Sequence, residues 1–319
     1  MSPPLLPPTA SRAVTLQSAF LTLTPGLFVV LWSTGFVGAK YGTRDAGPLT
    51  FLALRFVLAA SLLVIAALAM RAPRPTVDEA RWSLVAGLLM QALYLGGVFV
   101  AIDLGLPSGV GALVSGLHPV VTSVASRSLL GERLERVQWH GVVLGLVGVI
   151  AVVVDRLLTR SSGVTALAIL AAACGVLGIS GGTLVQRRYC AAAPLMWNTV
   201  LQFASSAVLV TIAAGVFEGF DVRFTASTVL ALIWAVLVLS IGAVLIMLWL
   251  LQHQAAARVS SLFFLTPALS TIEGAILFDE RLGPLALVGL VVALVGVALV
   301  TSYGWISRGQ ALMGVTPSG

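Results

Sequence analysis

GLHPVVTSVASRSLLGERL (116–134) and FLTPALSTIEGAILFDERL (264–282) are two versions of one phrase. Superposed at an offset of 148, Leu117, Pro119, Leu129, Glu132, Arg133 and Leu134 fall on Leu265, Pro267, Leu277, Glu280, Arg281 and Leu282. Each copy is an apolar stretch with an early proline, ending in an acid–Arg–Leu step. The fold turns on whether the two copies face the same way.

Composition sets the solvent. Of 319 residues, 59% are apolar and 9% charged, against roughly 25% charged in a soluble domain. That leaves too little polar surface for water, whereas a bilayer is itself apolar. Runs of about 20 apolar residues, each long enough to cross roughly 30 Å of hydrocarbon as a helix, follow one another. They predict an all-α integral membrane protein with ten spans: 20–40, 48–69, 82–102, 108–130, 137–154, 164–185, 195–217, 227–251, 257–278 and 284–304. The links are too short for a soluble domain. The first twelve residues are proline-rich and are expected to be disordered. With no small-residue cleavage site after the first apolar run, that run reads as a retained helix.

The net charge of +6 lies in short loops, which argues for topology rather than nucleic-acid binding. With a cytoplasmic N-terminus, eleven Lys/Arg lie inside. Six lie outside (Lys40, Arg44, Arg156, Arg160, Arg223 and Arg281), and Arg55 is within a span. The excess predicts cytoplasmic termini in a plasma, or inner, membrane. Cys174 and Cys190 are too few for a disulfide framework.

The repeat extends further: Gly141, Leu146, Val147, Gly148 and Val149 align with Gly289, Leu294, Val295, Gly296 and Val297. Linker 155–163 divides the chain into five-helix units 20–154 and 164–304, flanked by tails 1–19 and 305–319. Five is odd, so the second unit enters the membrane inverted relative to the first. Inverted halves that exchange conformations open a central site to alternate sides, and a receptor or scaffold has no comparable need for them.

LWSTGFVGAKYG (31–42), PLTFLALRF (48–56), LLGERL (129–134), GVVLGLVGVIAVV (141–153) and LTPALSTIEGAILFDERLGPLALVGLVVALVGVALV (265–300) resemble the EamA branch of the drug/metabolite transporter superfamily. The resemblance covers all ten predicted spans. It implies two inverted five-helix repeats, a cavity lined by helices 1, 3, 4, 6, 8 and 9, and secondary transport, often export, of small metabolites such as amino acids, or of drugs. Asp279 and Glu273 depart from its usual pattern.

Pro119 and Pro267 lack an N–H and crowd the carbonyls of Ser115 and Phe263, four residues earlier. A carbonyl freed at that depth requires protein or a watery cavity. The prolines read either as packing kinks or as hinges beside a site that exposes Leu117, His118, Phe263, Phe264 and Thr266 to solute. Arg55, His118 and Glu273 are ionisable residues inside spans, where a charge costs roughly 2.5–3.5 kcal/mol. His118 reads as a neutral hydrogen-bonded group or a proton carrier. Arg55 either snorkels outward or pairs with Glu273 as a gate, and Glu273 could instead carry a coupling proton. Glu132 and Glu280 read as caps of the helices that follow them. Trp32, Phe36, Gln91, Tyr94, Asn198, Gln202 and Trp249 combine aromatic faces with hydrogen-bonding groups suited to a small amphipathic solute.

No GxxxxGK[ST] loop, HExxH or clustered metal ligands occur, so neither ATP nor a cofactor is expected, and the chain is expected to work as a monomer with solute and lipid as partners. GISGG (178–182) matches GxSxG but lies inside a predicted membrane helix rather than on a strand-to-helix elbow. A proton-coupled importer and an intramembrane enzyme acting on a small or lipid-like substrate are the competing functions. The enzyme would have to work with His118, Glu273 and scattered hydroxyls.

Overall fold

The computed structural model describes residues 8–130, 136–158, 165–243, 246, 265–280 and 283–312. Glu132, Trp249, Phe263 and Phe264 lie outside the described residues. The regular structure found is helical, apart from an isolated antiparallel bridge between Ala46 and Val222. In chain order the described helices are α1 (Pro8–Gly42), α2 (Pro48–Ala69), α3 (Val77–Gly87), α4 (Tyr94–Asp103), α5 (Ser108–Ser115), α6 (His118–Leu130), α7 (Arg136–Leu158), α8 (Ala166–Tyr189), α9 (Leu195–Phe217), α10 (Ala226–Ile233), α11 (Leu265–Phe278) and α12 (Pro284–Leu312). A π-helical turn, Leu88–Leu93, joins α3 to α4, and a longer one, Trp234–Ala243, extends α10. Moved by the repeat offset of 148, residues 88–93 land on 236–241, inside the second π stretch.

Among the described residues, six helical stretches are long and apolar enough to cross a membrane: Pro48–Ala69, Val77–Asp103, Arg136–Asp155, Ala166–Tyr189, Leu195–Phe217 and Ala226–Ala243. The fourth predicted span differs from its single-helix expectation, because it is broken at Gly116–Leu117 into α5 and α6. The N-terminus differs too. Helix α1 begins at Pro8 within the stretch expected to be disordered. A proline in the first helical turn forfeits no hydrogen bond, and residues 9–24 contain neither glycine nor proline.

Local signals start the helices where the sequence punctuates them. Gly47 precedes Pro48 at the head of α2. Thr76 and Glu79 form a reciprocal capping box on α3. Thr165 and Thr225 accept backbone N–H groups of α8 and α10 at 3.1 and 3.2 Å. Leu68, Ile65, Val147, Ile150, Ile212 and Val216 project outward, an apolar exterior that suits lipid.

Between helices, small residues let backbones meet. Gly148 of α7 faces the Gly289 carbonyl and Ala293 of α12, and Gly296 faces Gly141 and Gly145 in return. Gly178 and Gly182 of α8 lie against Leu89 and Met90 of the first π stretch. Larger side chains fill the other core, where Phe56 of α2 meets Phe203 of α9 with ring centroids 5.8 Å apart. At one end of the bundle Trp82 stacks on Tyr189 at 3.9 Å, and Trp197 donates to the Ala72 carbonyl at 3.2 Å. Lys40 and the loops 43–47 and 218–225 form the other end.

Gly148→Ala and Gly296→Ala place a methyl group into opposing backbone and should cost about 1–3 kcal/mol as overpacking. Their melting temperatures in detergent should fall clearly below wild type. Gly26→Ala, with no atom within 4 Å of its new carbon, should not. Equal melting temperatures would contradict this seam.

Candidate functional site

The break between α5 and α6 builds the site. Pro119 offers no N–H, so the Ser115 carbonyl lacks its helical donor. His118 supplies one: its Nδ1 donates to that carbonyl at 3.2 Å. A carbonyl oxygen only accepts, so this contact fixes the proton on Nδ1. Ser180 of α8 donates to the His118 carbonyl at 3.3 Å, and the Tyr94 hydroxyl lies near that of Ser115. Gly175 meets the Tyr94 carbonyl closely enough that a Cβ would sit 3.0 Å from it. Backbone needs thus hold Ser115, His118 and Tyr94 together.

These residues border a cavity whose other walls are Trp32 and Phe36 of α1, Ala112, Gly116, Ile179, Thr266 and Pro267. Its free volume is about 20 Å³, room for a water-sized group rather than a metabolite. Six residues singled out from sequence, Trp32, Phe36, Tyr94, His118, Thr266 and Pro267, therefore surround one space. Pro119 stands beside it at the start of α6. Gln91 sits in the first π stretch, outside this set of walls. Asn198 and Gln202 are buried in an amide cluster instead, where Gln202 Nε2 donates to Asn198 Oδ1 at 3.1 Å and to Gln186 Oε1 at 3.0 Å. Phe263 lies outside the described residues.

Arg55 is 6% exposed and does not snorkel. Its Nε donates to Ser240 of the second π stretch at 3.0 Å, and Tyr94 lies within electrostatic reach. The Arg55–Glu273 pair considered from sequence is not formed in this structure. Helix α2 packs on α4, α9 and the second π stretch, whereas α11 packs on α1 and α5. The two charges accordingly face different neighbours. Glu273 Oε1 accepts from Ser33 of α1 at 2.6 Å, while its Oε2 is buried without a hydrogen-bond partner.

The ion pair at the Lys40 end is Lys40–Glu280, at 2.5 Å. Glu280 also accepts from the Ser108 N–H at 3.0 Å and the Ser108 hydroxyl at 2.9 Å. It therefore caps α5, and not α12 as its sequence position suggested. Glu218 does the same for α2, accepting from Leu49 N, Thr50 N and Thr50 Oγ1 at 2.9, 2.7 and 2.7 Å. In both cases a carboxylate from a distant loop meets the free N–H groups and positive dipole of a helix start. Sequence reading also missed Ser33, Ser240 and Ile179, which carry no pattern of their own within apolar runs. Ser115 was flagged only through its carbonyl. Among the described residues no three of His, Cys, Asp or Glu cluster as metal ligands.

Comparison with known proteins gives this helical arrangement its context. The EamA-like transporter family matches the chain twice, over residues 20–154 and 166–302. The chain belongs to the EamA-like transporter family. It is thus a multi-pass membrane transporter of the drug/metabolite transporter type. A probable amino-acid metabolite efflux pump of Escherichia coli (strain K12) is 27% identical over 281 residues, which span 85% of this chain and 91% of that one. The uncharacterized transporter YvbV of Bacillus subtilis (strain 168) is 25% identical over 292 residues, 89% and 92% of the two chains. A crystal structure 22% identical to this EamA-like chain superposes with a TM-score of 0.61, covering 89% of this chain and 98% of the other, and so shares its fold.

His118→Ala should leave the Ser115 carbonyl unpaired, at about 1–3 kcal/mol. Pro119→Ala restores the N–H that a continuous helix would aim at this carbonyl. The double variant should therefore melt closer to wild type than the sum of the single effects, with a coupling of about 0.5 kcal/mol or more. Strict additivity would show that His118 does not serve this carbonyl.

Proposed function

We propose that this EamA-like transporter is a secondary exporter of small amphipathic metabolites, amino acids or their relatives, and that it works by alternating access. In this reading ten spans form two inverted repeats, 20–154 and 164–304, in the inner membrane with both termini cytoplasmic. The observation that carries it is the meeting of Trp32, Phe36, Tyr94, His118, Thr266 and Pro267 around one cavity at a broken helix. Aromatic faces take up the apolar part of a solute, while hydroxyl and imidazole groups take its polar part. Pro119 and Pro267 serve as hinges, absorbing the change in helix angle as access switches.

The Lys/Arg distribution supports an orientation with the Lys40 end outside. Lys40–Glu280 and Ser33–Glu273 then join α1, and Ser108–Glu280 joins α5, to the α11 end in a closed external gate, and the cavity's small volume fits a contracted state. Glu273 belongs to this gate as a gating or coupling residue. The relative named as an amino-acid metabolite efflux pump supports both the substrate class and the direction.

The test is counterflow in sealed proteoliposomes loaded with unlabelled amino acids. Wild-type protein should exchange at least one labelled amino acid severalfold faster than protein-free liposomes, and Phe36→Ala or Tyr94→Ala should reduce that exchange. In intact cells, cysteines near Asp221 and Asp279 should react with an impermeant reagent, whereas those near Arg74 should not. Flux no faster than through bare lipid would sink the proposal, and the reverse labelling pattern would invert its orientation.

A further inference from the structure

Among the described residues Arg55 is a buried cation without a counter-charge. A guanidinium carries five N–H donors, and the one hydrogen bond found for Arg55 among the described residues uses Nε, toward the neutral Ser240 hydroxyl. The ion pair found among the described residues is Lys40–Glu280. Within the predicted spans the chain has a single acid, Glu273, and its carboxylate is turned to Ser33 on α1. An arginine at this depth without an anion is expensive, so its retention calls for a ligand that is absent from the protein itself.

Position points to the ligand. Helix α2, which carries Arg55, packs on α4, which carries the cavity-wall residue Tyr94. Leu52, Phe56 and Ala59, around Arg55 on α2, share one core cluster with the cavity walls Phe36 and Tyr94, so Arg55 stands one layer behind the cavity, within electrostatic reach of Tyr94. The described walls are aromatic, aliphatic, hydroxyl or imidazole groups, with no arginine or lysine among them, so Arg55 behind them is the cation at hand. A phosphate bearing about −1.5 to −2 charge would ask for more positive charge than one guanidinium offers. A carboxylate carries one negative charge and two oxygens in a plane, matching the arginine fork.

We propose that Arg55 is the carboxylate-recognising residue of this transporter, binding the acid group of an amino-acid-like solute while Trp32 and Phe36 hold its apolar side chain. This rests on the transport reading above and adds to it the group that is read and the residue that reads it. Its Nη groups, with no hydrogen bond among the described residues, gain an anion only when solute is present, so the arginine is poised to bind rather than to stabilise the empty protein.

The experiment measures proteoliposome flux for matched pairs: phenylalanine against phenethylamine, and leucine against isoamylamine. Benzoate and benzyl alcohol serve as competitors. Wild-type protein should move the acids at least tenfold faster than the matched amines, and benzoate should compete where benzyl alcohol does not. Arg55→Met should raise the KM for the acids at least tenfold and erase benzoate competition while keeping or raising the melting temperature. Arg55→Lys should fall between. Amines moved as fast as acids would leave transport standing and overturn the carboxylate assignment, as would full acid selectivity in Arg55→Met. Movement of neither class would overturn the transport reading and this inference with it. A melting temperature that depends on chloride in wild type but not in Arg55→Met, with unchanged acid selectivity, would identify a resident halide and equally overturn it.

Discussion

A backbone carbonyl buried among apolar helices must find a donor, and at Ser115 that donor is a side chain. The missing N–H of Pro119 creates the need, and the Nδ1–H of His118 meets it. From that one substitution of imidazole for amide follow the break after α5, the position of His118 and the placing of Ser115 beside Tyr94. Non-helical backbone is tolerated at such depth only where protein or a cavity satisfies it, and here the cavity opens beside the break. The repeat supplies a second proline, Pro267, on the same cavity wall.

The Lys40 end obeys a related rule. The N-termini of α2 and α5 present free N–H groups, and each receives a carboxylate from a loop far along the chain, Glu218 in one case and Glu280 in the other. These charge-assisted contacts join elements of the first half to loops of the second. Gly109 and Gly274 allow the approach, since a Cβ on either would sit 2.6 Å from Thr271 or 2.5 Å from Glu280. The contacts at this end are therefore polar ones that can be exchanged for water, while the seam of α7 and α12 depends on backbone-to-backbone fit that cannot.

Much of this was legible in the sequence because the bilayer simplifies the code. Apolar runs give helices, and an intramembrane proline announces a freed carbonyl at a calculable position. The cavity residues Trp32, Phe36, Tyr94, His118 and Thr266 stood out as aromatic or polar groups in apolar surroundings. The partners did not. Arg55 was expected to reach for the interface or for Glu273, but which helix lies between two charges is a matter of packing order rather than of depth. Glu280 looked like a cap for the next helix, and its use on α5 depends on a contact spanning 172 residues of sequence. The π stretches were also invisible, since an inserted residue in a uniformly apolar run leaves the pattern unchanged.

The central claim is that the cavity at the broken helix is the site that faces each side of the membrane in turn. Ala112 lies on its wall and is buried, so a cysteine placed there reports access without removing a polar group. In inverted vesicles and in intact cells, Ala112→Cys should react with an impermeant thiol reagent from both sides, and saturating transported solute should slow both reactions. Reaction from one side only, or reaction indifferent to solute on both, would contradict the account.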